Sequence, residues 1–180
     1  MVAAAAASAE LDAWEPGDPG QRAVKYALMA FLDARPDACD RSCVPGHLTA
    51  SALVVDVAGR NAVLTLHRRV KRWLQVGGHC EAGDPTLVAA ALREATEESG
   101  IEGLTIDPRP LRVDVHPITC SLGVPTRHLD VQFLVRAPAG AEPVISDESD
   151  DLRWWPLGGL PTDDASVAAL AAAAEDRIRG

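Results

Sequence analysis

Three carboxylates at the end of an alanine-rich stretch have the spacing of a metal-binding site. Glu94, Glu97 and Glu98 stand at i, i+3 and i+4, so in a helix their side chains emerge from one face. Like charges at these spacings destabilise a helix by about 0.2–0.5 kcal/mol per pair. A hard divalent cation such as Mg²⁺ or Mn²⁺ takes oxygen ligands and would turn this repulsion into binding. The alternative is an acidic helix face that contacts only solvent.

The residues around the carboxylates favour the metal site. Gly77 and Gly78 allow the backbone to pass close to the helix and offer carbonyl oxygens to a metal. Arg93 lies beside the first carboxylate. The predicted metal ligands are therefore Glu94, Glu97 and Glu98, with the carbonyl oxygen of Gly77 or Gly78 completing the site.

The carboxylates belong to a helix predicted over residues 85–99. Asp84 followed by Pro85 predicts its start, because Asp caps free amides and Pro is tolerated at the first helical position. Gly100 predicts its end, where a left-handed residue commonly stops a helix.

The elements that must position this helix are a mixture of strands and helices. Apolar residues at helical spacing predict an opening helix over 21–34, and an alanine-rich segment predicts a closing helix over 166–178. Four further segments are strand-like, the first two forming a predicted hairpin: 48–57, 61–67, 111–120 and 127–137. Because no regular βαβ repeat is present, the predicted fold class is α+β with a mixed sheet.

Length and charge restrict the remaining possibilities. The chain has 180 residues, which predicts one domain over 21–180, and residues 1–20 are expected to form a flexible alanine-rich leader. The net charge of -9 disfavours binding to a nucleic-acid polymer, which depends on clustered Lys and Arg. No apolar stretch reaches the roughly 20 residues that a membrane span needs.

The cysteines are too few and too scattered for a disulfide scaffold in a chain of this length, which favours a reducing, cytoplasmic location. They are Cys39, Cys43, Cys80 and Cys120. Cys39, Cys43 and His47 suggest zinc ligands, but their spacing matches no standard zinc finger. Unligated thiols in or near the core are therefore expected.

The segment 77–101, GGHCEAGDPTLVAAALREATEESGI, resembles the Nudix box. That pattern is a glycine, five residues, Glu, seven residues, and then Arg-Glu-apolar-x-Glu-Glu-x-Gly-apolar. The matching residues are Gly78, Arg93-Glu94-Ala95, Glu97-Glu98 and Gly100-Ile101. The similarity extends over roughly 48–180, through AVLTLHRRVKRWLQVGGH, RHLDVQFLVRA and LRWWPLGGLP.

The sequence departs from the Nudix box at two points, and both concern the residue that orients Arg93. Asp84 stands where the box has Glu, and eight residues instead of seven separate it from Arg93. The face carrying the three carboxylates is unaffected, because helical spacing alone sets it. The residue that orients Arg93 is either Asp84 or Glu81. The alternative for Asp84 is that it only caps the helix and has no second role.

The resemblance implies a Nudix-type α/β/α sandwich around a mixed β-sheet. It also implies hydrolysis of a nucleoside diphosphate linked to another group, or of a related pyrophosphate, with Mg²⁺ or Mn²⁺. The substrate is then a small nucleotide or other diphosphate chosen by loops outside the box. The implied catalytic residues are Arg93, Glu94, Glu97 and Glu98, with Glu148 as an additional acidic residue after the box, where Asp147 is the neighbouring candidate.

Three basic or polar residues are candidates for substrate binding. Arg68 and Arg69 could attract phosphates, or they could simply occupy a solvated hairpin tip. His79 could contact the diphosphate, or it could be a loop histidine bonded to backbone. A homodimer is a further expected assembly.

Two other functions remain open. One is a ligand-binding or sensing module with the Nudix fold and no catalysis. The other is an isopentenyl-diphosphate isomerase-like enzyme, suggested by Cys80 inside the box.

Overall fold

Four α-helices and eight strands make up the computed structural model, which describes residues 2–119, 123–145 and 149–180. The helices are α1 Ala4–Asp12, α2 Pro19–Ala34, α3 Leu87–Ser99 and α4 Ala165–Arg179. The strands are β1 His47–Val55, β2 Asn61–His67, β3 Trp73–Leu74, β4 Val76–His79, β5 Thr105–Ile106, β6 Arg112–Thr119, β7 Pro125–Arg136 and β8 Ser149–Pro156. A short 3₁₀ turn, Leu157–Gly159, follows β8. None of the helices within these ranges has the length and apolar character needed to cross a membrane.

The central strand is β1, which has all nine residues buried. It runs parallel to β7 from His47, opposite His128, to Val55, opposite Arg136. On its other side β1 pairs antiparallel with β4. The sheet therefore contains both parallel and antiparallel neighbours, as predicted.

The predicted hairpin of β1 and β2 forms only at its base. The recorded pairing between the two strands is Val55 with Ala62. Beyond that point β4 occupies the edge of β1, while β2 pairs with β3 and along its whole length with β8. The two strands diverge, and the sheet curls around the core.

Side chains alternate along β1 and separate two apolar layers. Leu48 and Ala50 pack in the cluster formed with α1, α2 and α3. Leu53 and Val55 pack on the opposite face, in the cluster that contains α4. Helices thus cover both faces of the mixed sheet, which confirms the α/β/α sandwich.

The flexible leader expected for residues 1–20 is corrected by the structure. Residues 4–12 form α1, and Val2, Ala7, Leu11 and Trp14 are buried in the core shared with α2 and α3. The buried Lys25 of α2 donates hydrogen bonds to the carbonyls of Asp12, the last residue of α1, and of Trp14 just beyond it. Alanine has the highest intrinsic helix propensity and its small side chain permits close packing, so an alanine-rich segment becomes a docked helix here.

Candidate active site

The acidic helix α3 begins two residues later than predicted. Its N-cap is Thr86, whose Oγ1 accepts a hydrogen bond from the Ala89 amide at 3.0 Å. Asp84 is therefore not the cap. Gly100 ends the helix in the left-handed conformation, with φ of 65°, as predicted.

A carboxylate from near the start of the chain also caps α3. Glu10 of α1 accepts hydrogen bonds from the amides of Leu87 and Val88, at 2.8 and 3.2 Å. These amides have no partner inside the helix, and a negative charge at a helix N-terminus also interacts favourably with the helix dipole. Glu10 thereby fixes the start of the helix that carries the candidate metal ligands.

We expect Glu10→Gln to lower the free energy of unfolding by about 1 kcal/mol, because Gln keeps one acceptor but loses the charge. The measurement is urea unfolding followed by circular dichroism. Asp33→Asn, which removes an exposed charge from α2, serves as the matched control. Unchanged stability of Glu10→Gln would show that this cap contributes nothing.

The structure decides which carboxylate orients Arg93. Nε and Nη2 of Arg93 donate to the two carboxylate oxygens of Asp84, at 3.1 and 2.9 Å, in a bidentate pair. Asp84 is buried, and it also accepts a hydrogen bond from the Glu81 amide at 2.7 Å. Burial acts to raise the pKa of Asp84, but the bonds from Arg93 and the Glu81 amide outweigh it and hold that pKa below its ordinary value. The Glu81 backbone, not its carboxylate, takes part.

Arg93 joins the strand before the box to the acidic face of α3. Its Nη2 donates to the carbonyl of His79 at 2.9 Å. Its Nη1 donates to Glu94 Oε1 at 3.0 Å and to Glu97 Oε2 at 2.9 Å. The hydrogen bond with Asp84 raises the pKa of the guanidinium, so Arg93 is a permanent cation holding two of the predicted ligands.

The glycine pair brings β4 against two of the three carboxylates, those of Glu94 and Glu98. A Cβ at Gly78 would lie 2.7 Å from Glu94 Oε1, so a larger residue there would displace that carboxylate. The amide of Gly77 donates to Glu98 Oε2 at 3.0 Å. Gly77 has φ of 148°, and a Cβ there would lie 2.3 Å from Ser51 Cβ. The close approach predicted for these glycines is present at both positions.

The donors assembled here suit a hard divalent cation. Glu94 is mostly buried, with 14% of its side chain exposed, and burial raises its pKa although Arg93 acts in the opposite direction. Glu97 is exposed on the same side of the helix. Oxygen donors with excess negative charge, one of them largely removed from water, match the ligand preference of Mg²⁺ and Mn²⁺.

The other predicted site residues lie elsewhere. Arg68 follows β2, where its guanidinium is 3.5 Å from Asp150 and contacts the Ser149 carbonyl of β8. Arg69 is exposed in the same turn. Glu148 lies outside the described residues, as does its neighbour at position 147.

A polar patch on the inner face of the sheet was missed by the sequence analysis. Asp130 of β7 is 3% exposed and accepts hydrogen bonds from Thr49, Ser51 and Gln132, at 2.9, 2.6 and 3.1 Å. Burial raises its pKa, although these hydrogen bonds oppose the shift. The available signal was the alternation of polar residues at 128, 130 and 132, which places them on one face of a strand.

Three histidines extend this patch towards the start of β1. The rings of His47, His79 and His128 lie 5.0–5.1 Å apart, centroid to centroid. Burial lowers the pKa of His79 to about 4 and that of His128 to about 3, so both imidazoles are neutral at pH 7. His116 contacts the ring of His128, and its hydrogen bond with Asp114 raises its pKa.

The described cysteines are free thiols. Cys39, Cys43 and Cys80 are all buried, as expected for unligated thiols in the core. Cys120 lies outside the described residues.

Comparison with known proteins identifies similar folds. The NUDIX domain family model matches residues 45–174. An Ap4A hydrolase from C. elegans superposes with a TM-score of 0.58 at 21% identity, over 74% of this chain and 98% of that chain. A MutT protein from Methanosarcina mazei gives 0.58 at 17% identity, over 75% and 97% of the two chains. The E. coli dihydroneopterin triphosphate pyrophosphohydrolase gives 0.54 at 23% identity, over 73% and 94%. No curated protein has a significantly similar sequence.

Proposed function

The chain belongs to the Nudix family of hydrolases, and we propose that it cleaves a nucleoside diphosphate linked to another group, or a related pyrophosphate, with Mg²⁺ or Mn²⁺. The observation that carries this proposal is the arrangement of Glu94 and Glu98 against Gly78 and Gly77, held by the Arg93 clamp. The similar proteins support the substrate class, because they include a dinucleoside polyphosphate hydrolase and a triphosphate pyrophosphohydrolase.

The metal would be held by the carboxylates of Glu94, Glu97 and Glu98, with a carbonyl oxygen of Gly77 or Gly78. Bound there, it would supply neutralisation of the diphosphate charge and a water of lowered pKa. Of these three carboxylates, those of Glu94 and Glu98 contact β4. Glu97 is the exposed member of the three.

The neighbouring residues position these ligands. Asp84 fixes the guanidinium of Arg93 by two hydrogen bonds, and Arg93 in turn orients the carboxylates of Glu94 and Glu97. The Gly77 amide fixes Glu98. A carboxylate that is already oriented loses less conformational freedom when it binds a metal, so these contacts favour a defined site.

The isomerase alternative is disfavoured by the environment of Cys80. Its side chain packs in the apolar cluster with α1, α2 and α3, and burial raises the pKa of the thiol to about 12. A thiol that stays protonated and faces the core is unsuited to proton transfer on a bound diphosphate.

A non-catalytic binding module would have the same sandwich and differs only in turnover. The discriminating experiment is a screen of nucleoside diphosphate sugars, dinucleoside polyphosphates, ADP-ribose, NADH, coenzyme A and nucleoside triphosphates. Four expectations stay predictions. They are substrate contacts by Arg68, Arg69 and His79, a catalytic role for Glu148, a cytoplasmic location, and a homodimer.

We expect chelation of divalent metal to abolish turnover of the substrate that the screen identifies. Added Mg²⁺ or Mn²⁺ should restore it, because the proposed ligands are carboxylates and the guanidinium of Arg93 is already engaged by Asp84, Glu94 and Glu97, so the metal must neutralise the diphosphate. The measurement is product formation after EDTA treatment and dialysis, with metal content checked by mass spectrometry. Full turnover in a verified metal-free sample would contradict the proposed mechanism.

A further inference from the structure

Three strands bring three histidines to one place on the inner face of the sheet. His47 of β1 lies directly opposite His128 of β7 in the parallel register. His79 of β4 lies opposite Thr49, two residues along β1 from His47. Because side chains alternate along a strand, all three imidazoles project from the same face. We call this group the histidine triad.

The triad has the dimensions of a metal site. One ligand nitrogen from each ring lies within 4.8 Å of the others. Ligand nitrogens around a tetrahedral metal at about 2.0–2.1 Å are about 3.3–3.4 Å apart, so the nitrogens would approach one another by at most about 1.5 Å on binding. Rotation about the side-chain torsions can supply such a movement without displacing the strands.

Two nitrogens of the triad have unused hydrogen-bonding capacity. Nε2 of His47 and Nε2 of His128 are buried and have no hydrogen-bond partner within the described ranges. Leaving a buried polar atom unpaired costs free energy, so each such atom in a native structure requires an explanation.

The hydrogen bond made by Nδ1 of His47 determines which of its two ring nitrogens has a free lone pair. Nδ1 lies 3.3 Å from the carbonyl oxygen of Cys43, which can only accept a hydrogen bond, so Nδ1 carries the proton. Nε2 then has a bare lone pair that is available to bind an ion. Metal-binding histidines commonly have this arrangement, in which one ring nitrogen donates to a backbone carbonyl and the other binds the ion.

We propose that His47, His79 and His128 form a second metal site, which binds Zn²⁺ and is separate from the carboxylate site on α3. Imidazole ligands suit borderline-soft ions such as Zn²⁺, whereas the hard ions expected at α3 require oxygen donors. Three protein ligands leave the fourth tetrahedral position for water or for an oxygen of a bound molecule.

The two sites lie on opposite sides of β4. Gly78 faces the Glu94 carboxylate, while its neighbour His79 projects from the other face, towards His47 and His128. The described residues contain one group of three metal-ligating side chains of this kind, and it includes no carboxylate or thiol. The nearby Asp130 is already engaged by Thr49, Ser51 and Gln132.

The test is titration of the metal-free full-length chain with Zn²⁺ by calorimetry, in millimolar Mg²⁺ to occupy the carboxylates. We expect one equivalent of Zn²⁺ to bind. His128→Gln and His79→Gln should each lower the affinity at least 10–100-fold, since losing a direct ligand costs no less than losing a supporting residue. His116→Gln, beside His128 but outside the triad, is the matched control and should bind as the parent does.

Substitution with Co²⁺ identifies the ligand atoms independently of activity. The histidine triad predicts visible absorption of a tetrahedral or five-coordinate ion without sulfur-to-cobalt charge transfer. A charge-transfer band that disappears in Cys43→Ser would assign the ion to the thiols and overturn the proposal. Failure to bind Zn²⁺, or parent-like binding by both His128→Gln and His79→Gln, would also overturn it.

Two further measurements keep the test interpretable. Far-ultraviolet circular dichroism and a cooperative melting transition, both without metal, establish that each variant is folded. His79 is half-buried, so His79→Gln provides the result if the substitution at His128 disrupts the sheet. Glu98→Gln should keep the zinc site intact, which separates this proposal from the hydrolase mechanism.

Discussion

Glu98→Gln should lower kcat by more than 100-fold while leaving the fold intact. The substitution keeps an oxygen that can accept the hydrogen bond from the Gly77 amide, so α3 stays against β4. It removes one negative charge from the proposed metal ligands. The decrease in kcat should therefore exceed the decrease of about 10–100-fold that is typical when a residue that only supports a ligand is replaced. Stability without metal should stay the same or rise by about 0.2–0.5 kcal/mol, because repulsion from Glu94 is relieved.

The matched control for this variant is Glu102→Gln. Glu102 is exposed just beyond the glycine that ends α3, so its replacement removes the same charge outside the proposed site. Turnover with saturating Mg²⁺ or Mn²⁺ and melting temperature without metal should be measured for both variants. If Glu98→Gln and the parent turned over substrate equally, the carboxylates of α3 would not be the catalytic metal site.

Asp84→Asn should reduce both stability and activity. Asn can accept only one of the two hydrogen bonds from Arg93, because its NH₂ group would face the other N–H donor of the guanidinium. Removing one partner of a buried ion pair costs about 3–5 kcal/mol, and we expect about 3 kcal/mol because Arg93 keeps Glu94 and Glu97. Loss of ligand orientation should lower kcat by about 10–100-fold.

Glu81→Gln separates the two candidate partners of Arg93. The Glu81 side chain is exposed and only its amide contacts Asp84, so this variant should unfold at the same urea concentration as the parent. A large loss of stability in Glu81→Gln, with none in Asp84→Asn, would reverse the assignment.

The stability difference between the parent and Asp84→Asn should depend on pH. The folded-state pKa of Asp84 lies below its unfolded value, so the charged carboxylate stabilises the fold fully above about pH 4. This contribution is lost as the pH falls through the folded-state pKa. The difference between the two proteins should therefore be large at pH 7 and shrink at about pH 3, measured by urea unfolding. A difference of equal size at both values would contradict the ion-pair explanation.

The features predicted correctly from sequence depend on local spacing. The face shared by Glu94, Glu97 and Glu98 follows from the helical repeat, and Gly100 ends α3 where expected. The start of α3 was predicted wrongly because Asp84 and Thr86 are both good capping residues. The ion pair with Arg93, formed within the folded protein, engages Asp84 and leaves the cap to Thr86.

Long-range contacts explain the remaining errors and omissions. Glu10 reaches amides 77 residues away along the chain, and nothing near it in sequence indicates that target. The histidine triad is assembled from β1, β4 and β7, so its members become neighbours only through strand pairing. A single sequence shows the residue types but not which strands will be adjacent.

The pairing of β1 with β7 also determines the order in which the chain can fold. Thr49 and Asp130, which meet across these strands, are 81 residues apart, so the central strand gains this neighbour only after most of the domain has been synthesised. Until then one edge of this wholly buried strand lacks its native partner, and unpaired strand edges can recruit other chains. Non-local pairing of this kind slows folding, which makes the nascent first half of the protein, and not the mature enzyme, the species most exposed to aggregation.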